Sequence, residues 1–272
     1  MRLRRLRIGK WILTIALVSI PIYAVCVAPR RVVVTRHEPV LDGLPSSLDG
    51  LRVVHMSDIH LSICIPDQFV RDAVDTANSL RPDIVVITGD FISRNARNAR
   101  PCGRMVGELD PPLGVYAVLG NHDHWVDAEE VRRSLEAEAV TVLMNKNTRI
   151  AKGLWLAGVD DIWAGTCDAA AARKGIRADS ALIVLSHNPA ALAMFSRDDC
   201  LVLSGHTHGG HVNLPYLARG VSRLTHAGGR TAGWYKQGRA RMYVNRGLGG
   251  APLRLRARPE IALFTLRSRP AP

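Results

Sequence analysis

Short runs of apolar and β-branched residues recur along the chain and alternate with longer amphipathic stretches. The runs that predict strands lie at 51–56, 84–87, 115–119, 140–143, 154–157, 182–185, 201–203, 241–245 and 261–266. Apolar residues at helical spacing from 66 to 80 predict an amphipathic helix, and a second helix is predicted from 127 to about 139. Because the strands are largely apolar and alternate with helices, we expect an α/β fold with sheets buried between helices.

The N-terminal region has a different pattern, an uncharged apolar run from 11 to 28 that follows five basic residues. Eighteen helical residues span about 27 Å, enough to cross the hydrocarbon core of a membrane, although Pro21 would kink the helix. A cleaved signal peptide has the same features, but Pro29 disfavours cleavage, so we favour a single-pass anchor in the cell membrane. The basic residues weakly favour a cytoplasmic N-terminus and leave the side of the folded body open. The chain then divides into a basic segment and anchor at 1–28, a linker at 29–50 and a folded domain at 51–272.

The distribution of charge changes what the composition suggests. The 272 residues carry a net charge of +12, which by itself suggests a nucleic acid or an anionic membrane as partner. Residues 1–36 carry +8, residues 37–216 carry −7 and residues 217–272 carry +11. The acidic body argues against a long track for nucleic acid. The five cysteines are widely spaced without a CxxC pair, which argues against a disulfide framework or a zinc ribbon.

Residues able to bind metal follow five of the predicted strands closely. They are Asp58 and His60, then Asp90, then Asn121, then His187, and finally the pair His206 and His208. Ligands gather beyond the carboxyl ends of strands in α/β sheets, so we expect the five segments to converge on one site. Carboxylate, imidazole and carboxamide donors without a thiolate suit Mn, Fe or Zn. Two ions about 3.5–4 Å apart, bridged by a shared carboxylate, are typical of phosphoester hydrolysis.

The order of these motifs resembles that of the calcineurin-like metallophosphoesterase superfamily. The matching series is DxH, GD, GNHD, a single histidine and GHTH, over about residues 50–210. The segments 245–249 (NRGLG) and 258–260 (RPE) are similar to the membrane-tethered bacterial branch of that superfamily. The resemblance implies a four-layer α/β/β/α sandwich for residues 51–272 and two divalent metal ions, Mn, Fe or Zn, as cofactors.

The resemblance also implies a role for each motif residue. One metal would be bound by Asp58, His60, Asp90 and His208, and the other by Asp90, Asn121, His187 and His206. Asp90 would bridge the two ions. His122 would face the scissile phosphate, stabilise charge in the transition state and help to protonate the leaving oxygen, with Asp123 orienting it.

Two positions depart from the pattern of the superfamily. Ser93 stands where many relatives have an aspartate, so we expect any supporting role of that carboxylate to be absent. His211 stands where glutamine is more usual. It either adds a histidine near the metals or begins a strand, and we favour the strand because the ligand set is complete without it.

Other residues near the motifs have two interpretations each. His124 and Trp125 either line the mouth of the substrate site or rest on the surface. The arginines after the GD motif either receive phosphate oxygens or lie in a solvated loop; they are Arg94, Arg97, Arg100 and Arg104. The alternating arginines at 254–258 predict a strand with one charged face, which either faces an anionic membrane or is simply exposed.

Together these patterns predict a membrane-tethered, dinuclear metal-dependent phosphohydrolase that cleaves phosphodiester or pyrophosphate bonds. A lipid-linked phosphate ester is the expected substrate, and the resemblance suggests UDP-2,3-diacylglucosamine as a candidate. The first alternative is a general phosphodiesterase or nuclease of the same superfamily, which a steep salt dependence of DNA hydrolysis would favour. The second is a non-catalytic, membrane-bound metal-binding scaffold, which an inert metal-loaded protein would favour. The sequence leaves the native metal and the oligomeric state open.

Overall fold

The computed structural model describes residues 11, 15–214, 220 and 222–269. The strands are β1 (Val33–His37), β2 (Arg52–Met56), β3 (Ile84–Thr88), β4 (Val115–Val118), β5 (Thr141–Val142), β6 (Lys146–Ala151), β7 (Leu154–Gly158), β8 (Ala181–Leu185), β9 (Cys200–Ser204), β10 (Gly233–Gln237), β11 (Ala240–Val244) and β12 (Glu260–Thr265). The helices that position the site are α1 (Asp67–Ser79), α2 (Ala99–Val106), α3 (Asn121–Glu136) and α4 (Ala169–Arg173).

The strands form two mixed sheets. The first has the order β1-β12-β2-β3-β4-β5, in which β12 runs antiparallel to β2 and the other neighbours are parallel. The second has the order β10-β11-β9-β8-β7-β6, with parallel pairing from β11 to β7 and an antiparallel hairpin at each edge. Because β2, β3 and β4 are parallel neighbours, their carboxyl ends lie at one edge of the first sheet, and β8 and β9 behave in the same way in the second.

Successive side chains along a strand point to opposite faces of the sheet. The apolar side chains therefore form separate buried layers, one between the two sheets and one on the outer face of each sheet. The inner faces of the two sheets share one buried cluster, which includes Val86, Leu201 and Phe264. The outer face of the first sheet shares a cluster with α1, α2 and α3. The outer face of the second packs on the short 3₁₀ helix Pro189–Phe195 and on α4. The protein is therefore an α/β sandwich of two mixed sheets, which confirms the sandwich of the predicted fold class; the transmembrane helix that was also predicted is not found among the described residues.

Several segments differ from the elements predicted from the sequence, and the edge strands β6 and β10 are two that have no predicted counterpart. β1 lies inside the predicted linker at 29–50 and pairs in parallel with β12, so this stretch belongs to the first sheet. α2 contains Arg100 and Arg104, for which a solvated loop is one of the two interpretations from the sequence. α3 begins at Asn121, and an extended Asp127 (φ −173°, ψ 88°) divides it where the predicted helix was to start. Residues 254–258 form no strand. The described part of the chain shows a single isolated bridge there, between Val212 and Leu255.

The predicted anchor is helical where the structure describes it. Helical residues at 15–22 continue into a π-helix at Tyr23–Val27 and a 3₁₀ turn at Ala28–Arg30. Among the described residues, no helix combines the length and the apolar character that crossing a membrane requires. Residues 1–10 and 12–14, which complete the predicted basic segment and anchor, lie outside the described residues. The Arg254 N–H donates to the Ala24 carbonyl (2.8 Å), so this segment packs on the folded body.

Candidate metal centre

The five motif segments converge at the carboxyl ends of the two sheets, as predicted. Three of them follow β2, β3 and β4 in the first sheet, and two follow β8 and β9 in the second. Two groups of buried Asp and His side chains lie there, and within each group the potential ligand atoms are all within 4.8 Å of one another. Asn121, the amide among the predicted ligands, is also buried.

The first group contains Asp58, His60, Asp90 and His208. His60 Nε2 lies 3.3 Å from Asp90 Oδ2 and 3.2 Å from His208 Nε2. His208 Nε2 lies 3.5 Å from Asp58 Oδ1. Two carboxylates and two imidazoles therefore face one another at the spacing of ligands around a single ion, with donors that suit a borderline or hard divalent metal.

The second group contains Asp90, His187 and His206. His187 Nε2 lies 3.3 Å from Asp90 Oδ2, 3.1 Å from Asn121 Oδ1 and 3.1 Å from His206 Nδ1. The amide oxygen of Asn121 thus joins this group. Asp90 belongs to both groups, and its Oδ2 is equally far from one imidazole nitrogen of each.

Hydrogen bonds behind the site fix the orientation of the histidine rings. His187 Nδ1 lies 2.7 Å from the Thr88 carbonyl oxygen, and because it donates to that carbonyl, Nε2 keeps its lone pair for the site. The two ring nitrogens of His206 have the reverse roles. Its Nε2 lies 2.7 Å from the Thr225 carbonyl oxygen, and its Nδ1 is directed toward the site. His60 Nδ1 lies 3.2 Å from Ser93 Oγ. Ser93 therefore supports a candidate ligand through its hydroxyl, a role that the sequence analysis did not assign to it.

Five candidate ligands have left-handed backbone conformations. The φ angles are 52° for Asp58, 53° for His60, 56° for Asp90, 72° for His206 and 50° for His208. Non-glycine residues rarely adopt such angles, and each costs about 1–3 kcal/mol unless its surroundings enforce it. Hydrogen bonds provide that enforcement, since the His206 N–H donates to the Asp58 carboxylate at 3.0 Å. Gly250 also fits tightly, because at φ 95° a Cβ there would lie 2.7 Å from the His208 ring.

The electrostatics of the site favour an ionised Asp90. Burial alone would raise the pKa of its carboxyl group, but the nearby His187 and His60 rings hold that pKa well below the usual range. The backbone N–H of His122 also donates to Asp90 Oδ1 at 2.9 Å. A buried carboxylate with imidazoles on both sides is well suited to bind cations.

Asp123 organises the backbone below the site. Its carboxylate accepts N–H groups of Gly120, Asp90 and Phe91, each at 2.9 Å. Burial, together with the charge of Asp90, raises the pKa of Asp123 to about 7. The ring of His122 bonds to a different group, so Asp123 holds the GD loop in place where the sequence analysis expected it to orient His122.

His122 lines a cavity of about 850 Å³ that opens over both groups. Its Nδ1 lies 3.0 Å from the Ser93 carbonyl oxygen, so Nδ1 donates there, and Nε2 is the nitrogen at which the ring can gain or lose a proton. Its ring stands edge-on to that of His60, with 4.8 Å between centroids. The position agrees with a group that faces the substrate rather than a metal ligand.

The residues with two interpretations divide between the cavity and the rest of the surface. Trp125 lines the cavity, whereas His124 turns away and binds Asp160 Oδ1 through Nε2 at 2.7 Å. Among the four arginines, Arg94 lines the cavity and Arg100 pairs with Glu130 at 3.1 Å on the surface. Of the four arginines, the cavity lining contains Arg94 and not the other three.

His211 does not begin a strand, so the favoured interpretation of this residue is wrong. Its backbone has φ 55°, which a strand does not accommodate. Its ring stacks on that of His208 with 4.7 Å between centroids and lines the cavity, but it belongs to neither ligand group.

Arg254 is a buried part of the site that the sequence analysis placed on an exposed face. It is 1% exposed, and its Nη1 donates to the carbonyls of His208 (3.0 Å) and Arg246 (2.7 Å). Its Nη2 donates to the Gly249 carbonyl and lies 3.3 Å from His208 Nδ1. The prediction failed because residues 254–258 fold into an irregular turn behind His208 instead of a strand, and alternation of arginines carries no signal for that.

Fold and site together define the class of the protein. Two mixed sheets that carry a buried Asp/His dimetal site at their carboxyl ends are the arrangement of a metal-dependent phosphoesterase. Residues 51–210 match the calcineurin-like phosphoesterase family. Because this match covers more than half of the chain, the protein belongs to the calcineurin-like phosphoesterase family.

Individual relatives agree with this assignment. An uncharacterized metallophosphoesterase of Bacillus subtilis, YkuE, is 34% identical over 258 residues, which cover 90% of this chain and 89% of the relative. The UDP-2,3-diacylglucosamine pyrophosphatase LpxG of Chlamydia muridarum is 27% identical over 94% of this chain and 97% of the relative. A solved structure from Thermus thermophilus is similar with a TM-score of 0.50 at 14% identity, over 73% of this chain and 90% of that chain, which supports the fold alone.

Proposed function

We propose that this protein hydrolyses a phosphodiester or pyrophosphate bond with two divalent metal ions held by the seven residues of the two groups. The observation that carries the proposal is the position of Asp90, whose Oδ2 lies 3.3 Å from His60 Nε2 in one group and 3.3 Å from His187 Nε2 in the other. A single carboxylate shared in this way is what a bridged pair of ions requires. When bound, such ions supply a nucleophile from water and neutralise charge on phosphate oxygens.

The protein's own groups then position the substrate and handle one proton. His122 would act in its doubly protonated form, in which Nδ1–H donates to the Ser93 carbonyl and Nε2–H faces the leaving oxygen. Transfer of the Nε2 proton to that oxygen would leave a neutral ring that still donates through Nδ1. Asp123 would support this geometry indirectly by holding the loop that carries Asp90. Arg94 is positioned at the cavity to contact a phosphate oxygen.

Metal analysis combined with a substrate panel tests the proposal. We expect the wild-type protein to bind two Mn ions per chain and to hydrolyse bis(4-nitrophenyl) phosphate. Asp90→Ala should lose both the metal and the activity, whereas Asp75→Ala, an exposed aspartate on α1, should lose neither. His122→Ala should keep the metal and lose about 10²–10⁴-fold in kcat. A wild-type protein that binds no metal, or an active Asp90→Ala variant, would contradict the mechanism.

We further propose that the N-terminal segment up to residue 28 contacts the cell membrane and that the substrate is lipid-linked. Exposed apolar side chains support this proposal, since Leu17 is 66% exposed and Val18 is 57% exposed. UDP-2,3-diacylglucosamine is the candidate substrate, because the chlamydial relative is named for its hydrolysis. In the proposed division of the chain, residues 51–272 form the phosphoesterase domain. The segment at 29–50 connects it to the N-terminal segment and contributes β1 to the first sheet.

Flotation with vesicles that contain anionic lipid tests the membrane contact. The full chain should float with the vesicles, and the double variant Leu17→Ser with Val18→Ser should stay at the bottom of the gradient. Leu113→Ser, at an exposed apolar position before β4, is the matched control and should float. Equal flotation of all three proteins, or of none, would contradict the role of this segment.

A further inference from the structure

We propose that Trp125 and Trp163 form a shelf that receives a planar ring of the substrate when its phosphate lies at the two ligand groups. The proposal rests on the proposed function and names the class of organic group that the site prefers. Both side chains line the cavity over the two ligand groups. The Trp125 ring lies 5.0 Å from that of His122 and 4.9 Å from that of Trp163, and the Trp163 ring lies 5.7 Å from that of His206. The shelf therefore spans the distance between the group that faces the phosphate and a candidate metal ligand.

The exposure of the two indoles is what makes this a binding surface. Trp125 is 54% exposed and Trp163 is 40% exposed, although both could gain by burial. The cavity lining also contains Ile63, which is fully exposed, and the apolar residues Ala251 and Pro252. A cavity with aromatic and aliphatic walls above a few polar groups is the usual form of a site for a small organic molecule.

The charge of the cavity argues against a polyanion as the occupant. Arg94 is the single arginine or lysine among the described residues that line it. A nucleic-acid strand would require several basic contacts along its phosphates. The lining instead fits a small substrate in which the metals receive the phosphate and the shelf receives the adjoining ring.

The loop that carries Trp163 is held rigidly in place. Asp161 Oδ1 accepts the N–H groups of Trp163 and Ala164, each at 2.8 Å, and Asp160 Oδ2 accepts the N–H of Thr166 at 2.8 Å. Asp160 Oδ1 also binds His124 Nε2 at 2.7 Å. Because His124 directly precedes Trp125 on α3, this bond links the two segments that carry the tryptophans. An indole that is ordered before binding loses little entropy when a ligand stacks on it.

Trp234 is a partly exposed tryptophan with a structural role, and its substitution is the control for the two cavity tryptophans. It is 42% exposed, but its ring packs on those of His37 and Tyr243, with centroids 5.6 and 5.2 Å apart. It thereby joins β10 of one sheet to β1 of the other. Trp234 lies outside the cavity lining, so its substitution leaves the shelf intact.

Binding of two phosphonates to the Mn-loaded full chain tests the shelf without any turnover. Phenylphosphonate and methylphosphonate share the anionic group and differ only in the planar ring, and their dissociation constants are measured by calorimetry. We expect phenylphosphonate to bind about tenfold more tightly than methylphosphonate, the size of one good aromatic contact. Trp163→Leu and Trp125→Leu, which keep apolar bulk but remove the flat ring, should each reduce this ratio severalfold. Trp234→Leu should keep it.

Each result decides the proposal. Equal affinities of the two phosphonates in the wild-type protein, a ratio that survives both cavity substitutions, or binding of neither phosphonate would overturn the shelf. Cyclohexylphosphonate gives a further measurement, because binding as tight as that of phenylphosphonate would overturn the requirement for a planar group. The proposed function fails separately, through loss of metal-dependent hydrolysis of bis(4-nitrophenyl) phosphate, while the phosphonate measurements still report on the shelf.

Discussion

At the scale of single residues, the site combines unfavourable backbone angles with buried ionisable groups. The left-handed conformations of Asp58, Asp90 and His208 and the burial of their side chains each oppose folding. The left-handed backbone angles direct donor atoms from separate loops toward one point. Hydrogen bonds from backbone groups offset part of the unfavourable free energy of these conformations. A bound cation would reduce the remaining repulsion between the carboxylates.

Arg254 gives the sharpest prediction at this scale. Arg254→Lys keeps the charge but removes the planar fork that reaches His208 and the Gly249 carbonyl. Because outer contacts orient metal ligands, we expect the affinity of the ion bound by the His208 group to fall by about 10–100-fold, with the other ion retained. Metal titration followed by calorimetry measures this change.

Arg256→Lys is the control for this prediction, because Arg256 is exposed two residues away. It should leave both affinities unchanged. Loss of both ions together in Arg254→Lys, or of neither, would show that Arg254 does not act through His208.

At the scale of elements, the pair of His124 and Asp160 ties the first turn of α3 to the loop before α4. The hydrogen bond to Asp160, against the opposing effect of burial, raises the pKa of His124, and Asp161 and Asp123 act in the same direction. Asp160 shows the reverse shift: burial opposes ionisation, but the bond to His124 lowers its pKa. The pair therefore contributes most to the free energy of unfolding between about pH 4 and about pH 6.5, the pKa values of an aspartate and a histidine in the unfolded chain.

His124→Asn tests this contribution. Since the folded pKa of His124 is raised, its stabilisation is fully present below about pH 6.5 and is lost as the pH rises through that raised value. We expect the variant to have a lower free energy of unfolding than the wild type at pH 6 and the difference to shrink at higher pH. Urea unfolding at a series of pH values measures it. A difference independent of pH would contradict the prediction.

Glu260 connects three strands of the two sheets. Its carboxylate accepts hydrogen bonds from Thr35 on β1 and Tyr243 on β11, both at 2.5 Å, and from Arg246 Nε at 2.9 Å. Removing one member of a buried charged network leaves its partners without compensation. We expect Glu260→Ala to lower the free energy of unfolding by about 3–5 kcal/mol in urea titrations.

Glu38→Ala is the matched control, because the exposed ion pair of Glu38 with Arg267 should contribute less than about 1 kcal/mol. If both variants lose the same small amount, Glu260 does not join the sheets energetically.

At the scale of the whole molecule, metal binding and stability are linked. Ligands come from both sheets, so ions that bind the folded state stabilise the entire sandwich. At about 100 times its dissociation constant, one ion adds about 2.7 kcal/mol, which raises the Tm by roughly 5–10 °C for a domain of this size. Differential scanning calorimetry should show that excess EDTA removes this increase. Asp90→Ala should respond much less to EDTA, and an equal response of both proteins would contradict the link.

Much of the fold could be predicted because apolar strands and amphipathic helices carry local signals. β3, β8 and β9 were predicted almost to the residue, since all their side chains are buried and all but Thr88 and Ser204 are apolar. β1, β6 and β10 were missed because they are edge strands with partly exposed, mixed side chains. Only the pairing of such a segment with a distant neighbour, such as β12 for β1, makes it a strand.

The sequence by itself determined the class of fold, the five segments that reach the site and the types of donor in them, because strand ends and metal-binding side chains are local features. The resemblance of the motif order also implied the two ligand groups with Asp90 common to both, which the tertiary structure brings together. Tertiary structure alone decided that Asp123 holds a loop and that Arg254 is buried behind His208. These depend on contacts between segments as far apart as His60, which follows a strand of the first sheet, and His208, which follows a strand of the second. No spacing along the chain encodes them.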